Sequence, residues 1–80
     1  MQIQITAFGI AKDILSTNKL TYELTEGLSV GELKTKLISD FEDFQKLKSL
    51  RFAVNEEYVE DHFTLRNGDE VILIPPVSGG

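Results

Sequence analysis

The sequence has 80 residues, and a chain of this length forms one domain whose core is barely large enough to be stable without disulfides or metals. It contains no cysteine, which excludes disulfides, thiolate metal sites and a cysteine nucleophile. Thirteen acidic and eight basic side chains give a formal net charge of −5. This charge argues against nucleic acid or an anionic membrane as partner, and it suits a basic protein surface.

The first residues lack the charged and long apolar regions of a secretory signal peptide. No apolar run approaches the roughly 20 residues that span a bilayer. We therefore expect a cytoplasmic protein.

The first predicted element is a strand over residues 2–8, where polar and apolar side chains alternate. In this strand Ile3, Ile5 and Ala7 are expected to face the core, and Phe8 falls on the opposite face. A short helix over 10–16, with Ile14 and Leu15 inward, and a second strand over 20–24 are predicted to follow.

Ser29 is predicted to begin the main helix, because Ser29 and Glu32 have the spacing of a capping box. The apolar residues that follow recur at helical spacing and define its buried stripe: Val30, Leu33, Leu37 and Phe41. Gly31 lowers the helix propensity, but the cap and the stripe outweigh it. Residues 40–49 fit either a frayed helical turn or a short 3₁₀ segment.

The second half of the chain is predicted to be mostly strand. The predicted strands are 50–54, 58–59 and 70–74, with turns at 55–57 and 66–69. Pro75 and Pro76 end the last strand, because proline cannot donate to a sheet ladder. The order β-β-α-β-β with one amphipathic helix predicts an α+β fold of the β-grasp type, in which a mixed sheet wraps across the main helix. This domain would comprise residues 1–74, followed by an extended tail over 75–80.

The tail runs Pro75-Pro76-Val77-Ser78-Gly79-Gly80. Two prolines favour an extended polyproline II path, so six residues at ~3.1 Å each reach roughly 18 Å beyond the sheet. Gly79 and Gly80, which have no Cβ, can pass a narrow channel and bring a terminal carboxylate close to bound phosphates. The alternative is a frayed end without function.

An apolar docking face is predicted beside the tail. Phe8, Ile72 and Ile74 lie on the outward faces of the first and last strands, and they come together if those strands pair. The alternative is that they pack under loops or the short helix. His62, the only histidine, is predicted to be a surface residue, because no nucleophile motif accompanies it. The nearby acidic residues match no compact metal-binding loop.

The stretch from Leu65 to Gly80 closely resembles the end of the small subunit of molybdopterin synthase, a family of ubiquitin-like sulfur carriers. Members carry a D-G-D-E-V-like turn, an apolar strand and then P-P-V-[ST]-G-G. Here the corresponding turn and tail read Asn67-Gly68-Asp69-Glu70-Val71 and Pro75-Pro76-Val77-Ser78-Gly79-Gly80. Ala53-Val54-Asn55 also resembles the family's A-V-N at the third strand. Length and element order agree over essentially the whole chain.

The resemblance implies a carrier that is not an enzyme on its own and binds no cofactor itself. An adenylating, E1-like partner would use ATP and Mg²⁺ to activate the Gly80 carboxylate, and a sulfur donor such as a cysteine desulfurase would convert it to a thiocarboxylate. Gly79 would give access to this group. The large catalytic subunit would bind Phe8, Ile72, Ile74 and the tail residues Pro75, Pro76, Val77 and Ser78. Sulfur would then pass to cyclic pyranopterin monophosphate in molybdenum cofactor biosynthesis, within a heterotetramer.

Three other functions stay open. The same fold and chemistry could supply sulfur for thiazole synthesis, or the chain could be a ubiquitin-related modifier that is conjugated to lysines. Both share a Gly-Gly end, although the Pro-Pro-Val before it favours molybdopterin synthase. A passive β-grasp binding module with an idle tail is the third, and it predicts that loss of Gly79 and Gly80 leaves partner function intact.

Overall fold

A computed structural model describes residues 1–47 and 50–74. The described chain contains one five-stranded sheet, two α-helices and a 3₁₀ helix. The strands are β1 (Gln2–Ala7), β2 (Lys19–Glu23), β3 (Arg51–Val54), β4 (Glu57–Val59) and β5 (Glu70–Ile74). The helices are α1 (Gly9–Leu15), α2 (Val30–Asp40) and the 3₁₀ helix (Glu42–Lys46).

The sheet is mixed, with the strand order β2-β1-β5-β3-β4. β5, the last strand in sequence, is therefore the middle strand in space. It pairs in parallel with β1, from Gln4 opposite Glu70 to Ala7 opposite Leu73, and antiparallel with β3. The two hairpins β1–β2 and β3–β4 complete the sheet on either side. This arrangement confirms the predicted β-grasp plan.

One face of the sheet packs on α2, as the alternation predicts. Ile3, Ile5 and Ala7 of β1 are buried, and they share the core with Val71 and Leu73 of β5. The stripe of α2 contributes to the same core through Val30, Leu33 and Leu37. The prediction that these residues of the first strand face the core is therefore correct. We call the opposite face of the sheet the open face.

The capping box at Ser29 is present in full. The Ser29 hydroxyl accepts from the Glu32 N–H at 3.2 Å, and the Glu32 carboxylate accepts from the Ser29 N–H at 2.9 Å. Two further N–H groups of the first turn donate to the loop before β5, Val30 to the Phe63 carbonyl and Gly31 to the Asp61 carbonyl. The helix therefore begins with its free donors satisfied by its cap and by this loop.

One local prediction needs correction, and one open alternative is decided. α1 spans Gly9–Leu15, and its buried residues are Ala11 and Leu15, while the predicted inward Ile14 is only half-buried. The helix is turned so that Ala11, one turn before Leu15, enters the core in place of Ile14. Residues 42–46 form the 3₁₀ alternative, with Phe44 buried in edge-to-face contact with the half-buried Phe41 at 6.2 Å.

The two turns of the second half differ in type. Asn55 and Glu56 both have positive φ, 50° and 74°, as in the two-residue type I′ turn that joins β3 and β4. In the turn over 66–69 the Asp69 N–H donates to the Arg66 carbonyl, and only Gly68 has positive φ, 86°. This pattern is that of a type II turn, in which a glycine at the third position takes the positive φ.

No helix within the described residues is both long and apolar enough to cross a membrane.

Candidate functional site

The end of β5 lies beside the end of β1 and the beginning of β3. The parallel register pairs Ala7 with Leu73, and the antiparallel register pairs Arg51 with Ile74. Phe8 comes directly after Ala7 with an extended backbone (φ −130°, ψ 160°), so it continues along β1 toward the level of Ile74. The described chain therefore stops at an end of the sheet that is formed by Phe8, Arg51 and Ile74.

The predicted docking residues lie around this end of the sheet. Ile72 and Ile74 alternate with the buried Val71 and Leu73, so they point to the open face, where they are half-buried. Phe8 is 56% exposed. It is the N-cap residue of α1 and not, as predicted, the last residue of β1, because Gly9 begins the helix at that point. We call Phe8, Ile72 and Ile74 the apolar patch, and its role in partner binding stays a prediction.

Arg51 and Tyr58 are neighbours of the apolar patch that were not identified from the sequence. Ala53 is opposite both Ile72 and Tyr58, and Tyr58 is 64% exposed. The Arg51 guanidinium lies over the Tyr58 ring, 4.9 Å from its centroid, which orients both side chains on the open face. Arg51 and Ala53 are two residues apart in a strand, so the sequence pattern places both on the face opposite Phe52. The pattern does not show which residue of β4 lies beside them, because that depends on the register between β3 and β4.

The other end of the open face is acidic. A shallow groove of about 340 Å³ is lined by Thr6, Asn55, Glu56, Glu70 and Ile72. The open face therefore changes from two carboxylates at this groove to apolar side chains and the Arg51 cation at the end where residue 75 begins. Such a surface is suited to a protein partner that has an apolar centre and a basic edge.

A buried carboxylate fixes the turn that leads into β5. Asp69 is 9% exposed, and its carboxylate accepts from Asn55 Nδ2 at 3.0 Å and from the Arg66 N–H at 2.8 Å. Asn55 Oδ1 accepts from the Glu70 N–H at 3.1 Å, so the side chains of Asn55 and Asp69 lock the β3–β4 turn to the start of β5. From sequence patterns alone, both residues are predicted only to form turns. Their pairing depends on a contact between positions 14 apart, which local patterns do not indicate.

The predicted reactive group and tail contacts lie outside the described residues. These are Gly79 and Gly80, together with Pro75, Pro76, Val77 and Ser78. The structure describes the domain as far as Ile74, and the roles assigned to the tail stay predictions.

His62 and its acidic neighbours are all exposed: Glu56, Glu57, Glu60 and Asp61. Within the residues that the structure describes, no three histidine, aspartate or glutamate side chains are grouped in a way that could hold a metal ion.

A mixed sheet of this order across one main helix defines the β-grasp, or ubiquitin-like, class of protein. Two solved structures show the same fold: SAMP1 from Haloferax volcanii (TM-score 0.84, 18% identity, all of both chains covered) and a complex of subunits 1 and 2 of molybdopterin-converting factor from Helicobacter pylori (TM-score 0.69, 24% identity, all of both chains covered).

The sequence places the chain within this class. The model of the ThiS family matches residues 5–80, and the chain belongs to that family. A molybdopterin synthase sulfur carrier subunit from Chlamydomonas reinhardtii is 36% identical, with all of both chains covered.

Proposed function

We propose that this protein is the sulfur carrier subunit of a molybdopterin synthase and that the carboxyl group of Gly80 carries the sulfur. The observation that carries the proposal is the match to an algal sulfur carrier subunit over the whole of both chains at 36% identity. The family match extends through residue 80, so it includes the Gly79-Gly80 pair. The P-P-V-[ST]-G-G resemblance of the tail favours this pathway over thiazole synthesis and over lysine conjugation.

The proposed chemistry takes place at the carboxylate of Gly80 and on other proteins. An E1-like partner with ATP and Mg²⁺ would join this carboxylate to the α-phosphate, with release of pyrophosphate. A donor such as a cysteine desulfurase would present the sulfur as a persulfide, whose terminal sulfur would displace AMP and form an acyl disulfide with Gly80. A thiol reductant would then cleave the S–S bond, leaving a thiocarboxylate on Gly80 and a disulfide on the donor side. The large catalytic subunit would transfer this sulfur to cyclic pyranopterin monophosphate and would supply the acid and base groups. This chain would be the non-catalytic subunit of that transferase.

The apolar patch supports a docking role near the point where the tail begins. Phe8, Ile72 and Ile74 lie around the end of β5, so a partner that binds residues 75–80 would meet them at once. Phe8 is more than half exposed, and burying its ring in an interface would contribute favourably through the hydrophobic effect. Two sulfur atoms are needed for each product, so the carrier must also dissociate and be recharged.

Intact-mass measurement tests the proposal directly. The protein is incubated with the adenylating partner, ATP, Mg²⁺ and a sulfur source, and we expect the mass gain of one sulfur replacing one oxygen. The matched control is the same chain without Gly80, which should gain no sulfur although its domain is unchanged. A full-length chain that never gains sulfur under these conditions would overturn the carrier function.

A second assay distinguishes the pathways. The loaded protein is given the large subunit and cyclic pyranopterin monophosphate, and we expect molybdopterin to form. If sulfur instead reaches a thiazole precursor, or if the chain becomes attached to lysines, the pathway is wrong although the carrier chemistry is right. If a chain without Gly79 and Gly80 supports the partner's activity fully, the protein is a passive binding module.

A further inference from the structure

A second apolar surface lies on the helical side of the molecule, between α1 and the 3₁₀ helix. Ile10 and Ile14 are one helical turn apart on α1, and they form an outer row, because Ala11 and Leu15 are the residues that face the core. Ile10 is 50% exposed and Ile14 is half-buried. α1 has only seven residues, yet it has apolar side chains on both its inner and its outer face. The inner face packs on the core, so the outer face is available to a partner.

These two isoleucines lie in a groove. A depression of about 340 Å³ is lined by Ile10, Asp13, Ile14, Asp43 and Lys46. It adjoins a second depression, which shares Ile14 and Asp43 and extends to the half-buried Phe41 at the end of α2. We call the two depressions together the α1 groove, and we call its apolar lining residues, Ile10, Ile14 and Phe41, its floor.

The rim of the α1 groove is acidic. Four carboxylates line the two depressions, and the only ammonium group among their lining residues is that of Lys46: the carboxylates are Asp13, Asp40, Glu42 and Asp43. Lys46 already lies 3.3 Å from Asp43, and Asp40 lies 3.9 Å from Lys36. Both ion pairs are exposed to solvent and contribute little stability, so their carboxylates can pair with basic side chains of a partner instead.

The apolar floor and the acidic rim together indicate the chemistry of the occupant. An amphipathic helix with aliphatic side chains at i and i+4 would cover Ile10 and Ile14, and lysine or arginine residues beside them would meet the carboxylates. We propose that the α1 groove is a docking site for a basic amphipathic helix of a partner protein, separate from the apolar patch of the open sheet face.

The location of the groove adds a functional consequence. α1 begins directly after Phe8, and Phe8 lies at the end of the sheet from which the tail starts. The α1 groove and the apolar patch are therefore connected through Phe8, the residue that joins β1 to α1. A carrier that is passed between partners can be held at the groove while the open sheet face is free, and this use of the groove rests on the carrier function proposed above.

The test is a titration of the ¹⁵N-labelled full chain with a helix-stapled peptide that has leucines at i and i+4 flanked by lysines. We expect amide shifts at α1 and at residues 42–46, with β5 unchanged. Substituting Asp13→Lys together with Asp43→Lys should weaken binding by about tenfold or more and should favour the same peptide with glutamates in place of lysines. Thr21→Lys on β2, which also adds a positive charge to an exposed position, is the matched control and should have little effect.

Three results would overturn the inference: no binding, shifts centred on Ile72 and Ile74, or binding that the double substitution leaves unchanged. Ile10→Ser tests whether apolar contacts contribute to peptide binding in addition to the ionic contacts. It should weaken binding while the far-UV circular dichroism is retained, because Ile10 is half exposed. None of these measurements depends on sulfur loading of Gly80, so failure here and failure of the carrier function are distinguishable.

Discussion

Gly31 lies so close to Asp61 that a side chain on Gly31 would press on the loop before β5 more tightly than ordinary van der Waals contact. The Gly31 N–H donates to the Asp61 carbonyl at 2.8 Å, and an added Cβ would lie 3.2 Å from Asp61 Cβ and 3.3 Å from its carbonyl oxygen. The adjacent bond from Val30 to Phe63 fixes the loop at a second point, so the loop has little freedom to retreat. A glycine in the first turn of a helix, unfavourable by propensity, is therefore explained by tertiary contact.

Gly31→Ala is expected to destabilise the protein by about 1 kcal/mol, although alanine favours helix by a similar amount at an unobstructed position. The measurement is urea unfolding, with Ser39→Ala on the exposed face of the same helix as a control that should be neutral or slightly stabilising. If Gly31→Ala stabilises the protein instead, the loop moves freely and the contact has no role in positioning α2.

Glu56→Gly is expected to stabilise the protein by about 0.5–1 kcal/mol, because Glu56 holds a φ of 74° that glycine adopts without steric penalty. The gain is reduced by the greater freedom of glycine in the unfolded chain. Thermal unfolding provides the measurement. Glu57→Gly, one position later in β4, should destabilise the protein. Equal effects of the two substitutions would contradict the assignment of a type I′ turn.

Asp69→Ala is expected to destabilise the protein by about 2–3 kcal/mol. It removes two hydrogen bonds to a carboxylate and leaves the donors on Asn55 and Arg66 without their partner. Chemical denaturation measures the loss, and Glu70→Ala at the neighbouring exposed position should cost little. A small loss for Asp69→Ala would mean that water replaces the carboxylate at no penalty.

Alkaline pH is expected to lower stability through Tyr22. Burial and, to a smaller extent, the hydrogen bond and negative charge of Asp40 raise the pKa of the Tyr22 hydroxyl above its ordinary value of 10.0. The folded chain thus keeps a proton that the unfolded chain releases near pH 10, so the stabilisation is complete below that pH and decreases as pH rises above it. Tyr22→Phe should make the pH dependence shallower in this range. In a Tyr58→Phe background, tyrosinate absorbance should report ionisation of Tyr22 above the range of free tyrosine.

Under the proposed function, Phe8→Asp is expected to weaken binding to a large catalytic subunit by about 1–3 kcal/mol, because a charge would be buried without a partner. Folding should be retained, since Phe8 is 56% exposed. Titration calorimetry measures affinity, and Thr21→Asp, also exposed but on the outer strand β2, should leave it nearly unchanged. Loss of stability with unaltered affinity would place Phe8 in the core and not in the interface.

Local sequence signals were sufficient for the sheet, the main helix and its cap. The alternation of Ile3 and Ile5 and the Ser29–Glu32 spacing act over a few residues, and the structure agrees with both. The signals failed where a distant contact decides the outcome. Packing of α1 on the domain buries Ala11 and not Ile14. Asp69 is buried where Asn55, in the β3–β4 turn, donates to its carboxylate.

In the candidate site, too, some features follow from local sequence patterns and others depend on distant contacts. The outward faces of Ile72 and Ile74 follow from the period of β5, whereas the position of Tyr58 depends on the register between β3 and β4. The α1 groove was not anticipated, because its floor combines residues from α1 with residues more than twenty-five positions later in the chain. Only the fold brings Ile10 beside Asp43.

The central place of β5 has a mechanical consequence. A partner that grips residues 75–80 pulls on a strand hydrogen-bonded on both sides, to β1 and to β3. A load along that strand acts on both ladders in shear, so many bonds must yield together instead of opening one by one from an edge. Under the proposed function, a partner that pulls on the chain beyond Ile74 would therefore load the middle strand of the sheet and not an edge strand.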